Sequence, residues 1–470
     1  MIDGAEVQQH NSAESCWIVV HGRAYDVTEF LDEHPGGAPI ILKCAGYDAT
    51  DAYEAIHSPD LITETLPSSA CLGLVEANTV AKMTPPSAQI PDTNHTEGSK
   101  QSDIIINVND FEMAAEKCAT GAAWAFMASA ADDEITKVRN AKDFAKISLR
   151  PRVMRNVATV DTSTTILGFP TSMPVFVSPT GLNKLAHPNG ECEVTIAVGK
   201  AGWIQVVSTV SSQPIEKVMA ARVDTKQPIF FQLYVNKDIT KTQALLRKVK
   251  ALGVSSIWVT VDTPVLGKRE RDEKLKAKEN GTGSGLVGHG NGRRGVAKDV
   301  SSWFANSLQW EDLQWIRAIS GLPVVVKGVQ CVEDAVLAYQ HGADGILISN
   351  HGGRSQDTSQ STILTLLEIR HFAPHLINSK MEIYLDGGVR RGTDVLKALA
   401  LGATAVGMGR PFLHALTVGG APAIEHMMNL VATELQTNMA LLGATKISEV
   451  VPEMLNTKRL ERNLVGAVKL

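Results

Sequence analysis

The stretch GADGILISNHGGRSQD, residues 342–357, sets a short apolar run, GILIS (345–349), against a polar loop with two adjacent glycines. The run is rich in β-branched residues and does not alternate, the pattern of a parallel strand buried on both faces. Seven other runs share it: VFVS (175–178), IQVVS (204–208), IFFQL (229–233), IWVTVD (257–262), VVVK (324–327), IYLD (383–386) and AVGMG (405–409). Amphipathic, helix-like stretches lie between them. Eight such strands over about 250 residues predict an α/β domain of the (β/α)8, or TIM-barrel, type. A doubly wound sheet is the competing arrangement, and a count that closes at eight favours the barrel.

Barrels of this kind carry their chemistry at the carboxyl ends of the strands. Standing there in order are Ser178, Ser208, Gln232, Asp262, Lys327, His351, Asp386 and Arg410. A single polar residue after a strand is ordinarily a loop cap, but one after every strand is hard to obtain by chance. The last two units read DGGVRRG (386–392), with Gly388 and Arg390, and GMGRPF (407–412), with Gly409 and Arg410. Barrels hold phosphate after strands seven and eight, where backbone N–H groups and guanidinium forks match the oxyanion. A helix-capping turn explains DGGVRRG alone, but not its pairing with a second Gly-Arg loop.

His351 in SNHGGRSQD (349–357) is an imidazole able to take a proton near neutral pH. Two glycines then bring Arg354 back over the same rim, where a guanidinium can clamp a carboxylate bidentately. Together they describe removal of a proton from a carbon or hydroxyl beside a carboxylate. Asp262, in VTVDTP, is the candidate to orient the imidazole and stabilise its charged form.

The amino-terminal stretch LDEHPGGAPIILKCAGYDAT (31–50) has different chemistry. His34 precedes Pro-Gly-Gly, and a second histidine follows at His57. For either one alone, a surface turn is the simpler reading. A zinc site needs four N or S ligands, and no second pair accompanies these two. A haem needs only two imidazoles facing each other across an apolar pocket, and Gly36 and Gly37 let backbone pass close to a flat macrocycle.

Composition narrows the remaining classes. The chain has 470 residues, 20% of them charged, and a formal net charge of −5. That length supports two or three domains, and the charge gives no basic footprint for nucleic acid. Six scattered cysteines without CxxC spacing read as reduced and intracellular. No apolar run approaches the roughly 18 residues of a membrane span. After about residue 77, the segment 78–103 loses its hydrophobic periodicity and is rich in Pro, Ser, Thr and Asn, the composition of a linker. A second domain begins near Ile104 and runs to residue 470. NGTGSGLVGHGNGRRG (280–295) interrupts it after strand four, and its glycines argue for a mobile surface excursion over about 280–298.

Residues 1–77, with CWIVVHGRAYDVTEFLDEHPGG, resemble a cytochrome b5 domain, an α+β haem-binding fold. The resemblance implies haem b (protohaem IX) with His34 and His57 as axial ligands of its iron. A haem with both axial positions filled carries electrons rather than activating oxygen. Residues 104–470, with QLYV, VTVD, SNHGGR, DGGVRRG and GRPF, resemble the FMN-dependent L-2-hydroxy acid dehydrogenase and oxidase family. The pairing of the two is similar to the flavocytochrome b2 family of L-lactate:cytochrome c oxidoreductases. By that resemblance His351 is the base with Asp262 as partner, Arg354 clamps the substrate carboxylate, and Tyr234 hydrogen-bonds the substrate hydroxyl. Arg269 is a second active-site arginine. Lys327 lies against the flavin N1/O2 edge, and Ser178, Ser208, Gln232 and Thr260 belong to the flavin site. Asp386 binds the ribityl chain, and Gly388, Arg390, Gly409 and Arg410 belong to the phosphate site.

The chain departs from the family where WAFMASAADD (124–133) replaces a Tyr-Tyr pair in what the family has as its first helix, followed there by Ser-Gly-Ala. Phe126 keeps the ring of a tyrosine that touches substrate carboxylate and helps couple flavin to haem, but loses its O–H. One neutral hydrogen bond contributes roughly 0.5–1.5 kcal/mol. The expected consequence is weaker substrate binding, altered specificity or slower transfer between domains, not loss of chemistry. Gly181 and Val210, at pocket positions where lactate-using relatives carry bulkier residues, imply room for an acid larger than lactate.

The leading expectation is therefore an FMN- and haem-dependent dehydrogenase of a small L-2-hydroxy acid, delivering electrons singly to an acceptor such as cytochrome c. An oxidase that returns electrons to oxygen is the alternative. A decayed electron-carrier module is a third reading, against which the intact His351, Arg354, Lys327 and Asp262 count. The resemblance further implies a homotetramer. It also implies the mitochondrial intermembrane space, although no presequence is visible and a cytoplasmic relative fits equally.

Overall fold

The computed structural model describes residues 1–34, 37–54, 57, 61–76, 79, 104–279 and 303–468. Gly36, nearly all of the expected linker and all of the expected glycine-rich excursion lie outside the described residues. The chain divides into two compact units, one of residues 1–103 with 271–302, the other of residues 104–270 with 303–470.

In the first unit, strands Trp17–Val20, Arg23–Asp26 and Cys71–Leu74 form a three-stranded antiparallel sheet in that order. The first two are joined by the two-residue loop His21-Gly22, both at positive φ (53° and 71°). That conformation matches the right-handed twist of a hairpin. Ile18 and Val20 face one side with Tyr25, Leu31, Ile41, Ala45, Ala49 and Ile62, while Val19 faces the other with Val7, Ala24 and Val75. Short helices Ala38–Leu42, Thr50–Glu54 and Leu61–Thr65 supply the larger apolar cluster.

In the second unit, the eight expected runs form a closed parallel barrel. Its strands are Val175–Val177, Ile204–Ser208, Ile229–Leu233, Ser256–Thr260, Val324–Val329, Gly345–Ile348, Glu382–Leu385 and Ala405–Met408. Alternate residues point inward, so the interior is packed with Phe176, Val206, Phe230, Trp258, Val325, Leu347 and Tyr384. The Trp258 ring stacks between Phe230 (5.8 Å) and Tyr384 (5.1 Å). Each such pair contributes about 0.5–1.5 kcal/mol beyond area burial. The intervening residues, such as Val175, Val207, Phe231, Val259 and Val326, pack outward against the helices. Burial on both faces explains why these strands do not alternate in sequence.

A hairpin, Thr164–Ile166 with Phe169–Thr171, caps the amino-terminal mouth, and Leu167 N–H donates to the Glu382 carboxylate at the start of the seventh barrel strand. That leaves the opposite mouth for chemistry. The polar residues expected after the strands are not all beyond them. Ser208, Gln232 and Lys327 lie within the last turns of their strands, where the two-residue period aims them into the upper barrel. The helix Arg410–Leu442 is broken at Gly419 and Gly420, so its first segment stays at the rim.

Candidate functional site

The described part of the rim is built around Asp262, which lies just past Ser256–Thr260 and is fully sheltered. Its Oδ1 is 2.9 Å from His351 Nδ1, and its Oδ2 is 3.4 Å from Lys327 Nζ. Ser349 Oγ ties the group together, accepting from Lys327 Nζ at 3.3 Å and from His351 N–H at 3.1 Å. Ser355 Oγ donates to the Asp262 carbonyl. Room for this cluster depends on Gly328, at φ 116° beside a bulge, where a Cβ would lie 2.6 Å from that of Asp262.

The charges follow from burial and partners. Burial opposes the Asp262 carboxylate, but Lys327 and His351 outweigh it and hold its pKa below the usual range. Burial likewise opposes the Lys327 ammonium, yet Asp262 and Asp386 keep it charged, its pKa above normal. For His351, burial wins over Asp262, and its pKa is lowered. The imidazole is therefore neutral at neutral pH. With Nδ1–H donated to Asp262, the basic lone pair is on Nε2.

The loop carrying His351 is held in an unusual backbone. His351, Gly352 and Gly353 have φ of 58°, 64° and 82°. A Cβ on Gly353 would meet Lys137 N at 2.6 Å, so the loop rests directly on helix Ile135–Phe144. Asn350 and Asn140 exchange side-chain amide hydrogen bonds of 2.7 and 2.8 Å, and Asn350 also receives Gly353 N–H. A non-glycine residue in the left-handed region costs of order 1–3 kcal/mol and persists only where surroundings over-determine it. The paired asparagines do that. Asn350 was signalled by its place in SNHGGR, whereas Asn140, on a helix before the barrel, had no local signal.

Arg354 Nη2 donates to the Met127 carbonyl at 2.5 Å, and Arg410 Nη2 to the Gly352 carbonyl at 2.6 Å. Burial depresses both guanidinium pKa values, Arg354 well below its usual value and Arg410 to about 10, and the neighbouring arginines add to it. Arg390 is bound by Asn109 and Glu112 on helix Val108–Cys118, contacts that sequence reasoning missed. Arg269 stands over the Phe126 ring, 5.7 Å from its centre. The ring that lacks a hydroxyl thus holds an arginine by its π face. Phe126 sits on Gly121–Ala128, the second helix of this unit rather than the expected first. Tyr234 stacks on Phe304 at 4.0 Å, and burial raises its phenol pKa, keeping it a neutral donor.

Ser208 Oγ donates to Gln232 Oε1 (3.0 Å) and Gln232 Nε2 to Thr260 Oγ1 (2.8 Å), a polar chain across three adjacent strands. Ser178 Oγ donates to Asp386 Oδ2, while the buried Asp386 Oδ1 has no hydrogen-bond partner among the described residues. Gly388, at φ 88°, would press a Cβ against the Asn140 backbone at 2.5 Å, and Gly409 caps the helix begun by Arg410. Gly181 and Val210 touch, a Cβ on the glycine falling 2.5 Å from Val210 Cγ2. A buried orphan carboxylate oxygen and mutually repelling guanidiniums fit a ligand with hydroxyls and a phosphate, as FMN has.

In the first unit, His34 and His57 ring centres are 6.0 Å apart. With metal–imidazole bonds of roughly 2.0 Å, two rings on opposite sides of one ion have centres about 6 Å apart. His34 N–H is bonded to the Phe30 carbonyl and His57 N–H to that of Tyr53, with Tyr53 ring to ring at 4.8 Å. Burial, then His34, pushes the His57 pKa down to about 4, which keeps it in the neutral, metal-ligating form. His57 lies just beyond helix Thr50–Glu54, and Gly37, at φ 80°, turns the chain after His34. The pair fits a bis-imidazole haem iron.

Residues 115–457 match the FMN-dependent dehydrogenase family, and residues 3–76 match the cytochrome b5-like haem/steroid binding domain. The chain is 38% identical over 465 residues to an L-lactate dehydrogenase (cytochrome) of Wickerhamomyces anomalus, covering 98% of this chain and 81% of that protein. A Saccharomyces cerevisiae protein of the same description is 37% identical over 479 residues, covering 99% and 81%. Glycolate oxidase of Spinacia oleracea, 39% identical over 356 residues, covers 74% of this chain and 94% of its own. Among solved structures, a flavocytochrome b2 mutant with benzoylformate superposes with a TM-score of 0.70 at 38% identity, covering 78% of this chain and 90% of that one.

Proposed function

Because the chain belongs to the FMN-dependent dehydrogenase family and carries a cytochrome b5-like haem domain, we propose that it oxidises L-lactate, or a somewhat larger L-2-hydroxy acid, to the 2-keto acid. It is an oxidoreductase with FMN and haem b as cofactors. When bound, the flavin takes the substrate's electron pair and the haem passes electrons on singly. The acceptor in this reading is cytochrome c. The proposed haem domain is residues 1–77, the tether 78–103 and the flavin domain 104–470.

The observation that carries the reading is the His351–Asp262 contact at 2.9 Å on the same rim as Arg354. Arg354 and Arg269 fix the substrate carboxylate, which places the α-carbon and its hydroxyl before His351. Nε2 takes the proton, and the imidazolium so formed is stabilised by Asp262, already ionised beside it. Tyr234 donates to or orients the hydroxyl. Lys327, kept charged by Asp262 and Asp386, would meet the flavin edge and favour negative charge there. Ser208, Gln232 and Thr260 would hold the ring system and Asp386 the ribityl hydroxyls, with Ser178 bonded to Asp386 in the same site. Gly388, Arg390, Gly409 and Arg410 would enclose the phosphate, and His34 and His57 would hold the haem iron.

Likeness to oxidases such as the spinach enzyme gives the second reading, in which oxygen takes the electrons. Steady-state turnover of L-lactate in air, with and without cytochrome c, separates the two. The proposal expects cytochrome c reduction to account for nearly all keto acid formed, with little peroxide. Peroxide equal to keto acid in the presence of cytochrome c would replace it with the oxidase reading.

A further inference from the structure

Glu191 opens the helix Glu191–Ala201 and is 1% exposed, yet among the described residues it forms no ion pair. Its partners are all donors from two neighbouring rim loops. Oε1 receives Asn183 N–H (3.2 Å) and Ser212 N–H (2.9 Å), while Oε2 receives Gln213 N–H (3.1 Å) and Ser212 Oγ (3.0 Å). Ser212 Oγ in turn accepts Lys184 N–H at 2.9 Å. The loop after the first barrel strand and the loop after the second are thus stitched through one carboxylate. Two further direct bonds lie beside the stitch, Leu182 N–H to the Val210 carbonyl at 3.1 Å and Gln213 Nε2 to the Pro188 carbonyl at 3.4 Å, but the carboxylate takes most of the donors.

Those loops carry Gly181 and Val210, which are packed so closely that a Cβ on the glycine would fall 2.8 Å from the Val210 carbonyl oxygen. The separation of the two loops therefore sets how far apart these side chains stand. We infer that Glu191 is a positioning residue for substrate size, fixing the gap between Gly181 and Val210 without touching substrate itself. The inference rests on the reading of Gly181 and Val210 as pocket residues. A carboxylate suits the task because it offers two acceptor oxygens to three backbone N–H groups and a hydroxyl, all of them donors. A glutamine at this position has one oxygen, and its NH2 would face an N–H it cannot accept. The loops must then part or leave a buried donor unsatisfied.

The test compares the holoenzyme with its Glu191→Gln variant on L-lactate and L-mandelate, following flavin reduction. The expected result is a shift of kcat/KM selectivity toward mandelate by about tenfold, the scale on which pocket size discriminates. That shift should be carried by KM, with the saturating rate on lactate retained and FMN content unchanged. Ser212→Ala, which removes one donor, should move selectivity the same way by less. Equal losses on both acids, or loss of FMN, would make Glu191 a merely structural residue and overturn the inference. Val210→Ala is the control for the underlying reading. If it leaves selectivity unmoved, the pocket reading fails; if it shifts selectivity while Glu191→Gln and Ser212→Ala do not, the positioning role fails.

Discussion

At the scale of single residues, the proposed chemistry depends on three titratable groups that hold one another in state. Asp262 is ionised because Lys327 and His351 face it, and Lys327 is charged because Asp262 and Asp386 face it. His351, depressed by burial, is left as a neutral base. A base whose pKa is lowered keeps its lone pair as pH falls past the ordinary histidine value. The rate of flavin reduction at low lactate should therefore hold through pH 6.5 and drop only below it, measured as a pH profile of kcat/KM. An acid limb centred above 6.5 would contradict this account of His351. In the proposed mechanism, replacing the imidazole removes the proton acceptor and leaves the residues proposed to hold the flavin in place. His351→Gln should slow flavin reduction by about 10²–10⁴-fold while the bound FMN absorbance remains.

At the scale of elements, the loop from Ser349 to Asp357 is the most constrained piece of the rim. Its three successive positive-φ residues rest on Lys137, and Gly353 has no space for a methyl group against that backbone. Gly353→Ala should destabilise the flavin domain by roughly 1–3 kcal/mol and lower activity with it, measured by thermal unfolding and turnover together. An unchanged melting temperature would show that the contact is softer than its geometry implies. The same loop marks what a sequence reveals. Its strand, its histidine and its arginine were legible because a buried parallel strand has a local signature and polar residues at its end have a local position. Ser349 and Asn350 sit inside the motif but gave no hint of their partners. Asn140 pairs with Asn350 across 210 positions, and Glu191 binds loops on either side of its own helix. Contacts of that kind arise from closure of the barrel, which periodicity predicts only as a topology. The Glu112 and Asn109 contacts to Arg390 escaped notice for the same reason.

At the scale of the whole molecule, two domains of different chemistry share one chain. His34 and His57 were legible as a pair because Pro-Gly-Gly and an apolar neighbourhood accompany them, and their rings stand 6.0 Å apart. In the proposed function, joining the haem domain to the flavin domain would make the second redox step intramolecular, so that its rate would not depend on protein concentration. The central claim of the proposal is that His351 takes a proton from the hydroxy acid, that its electrons pass to the flavin, and that they depart by way of the haem. Anaerobic rapid mixing of the holoenzyme with L-lactate, following flavin bleaching and the haem Soret band together, tests it most directly. The account predicts that the flavin bleaches first and the haem reduces after it, at a rate independent of protein concentration. Flavin that bleaches while the haem stays oxidised would contradict it.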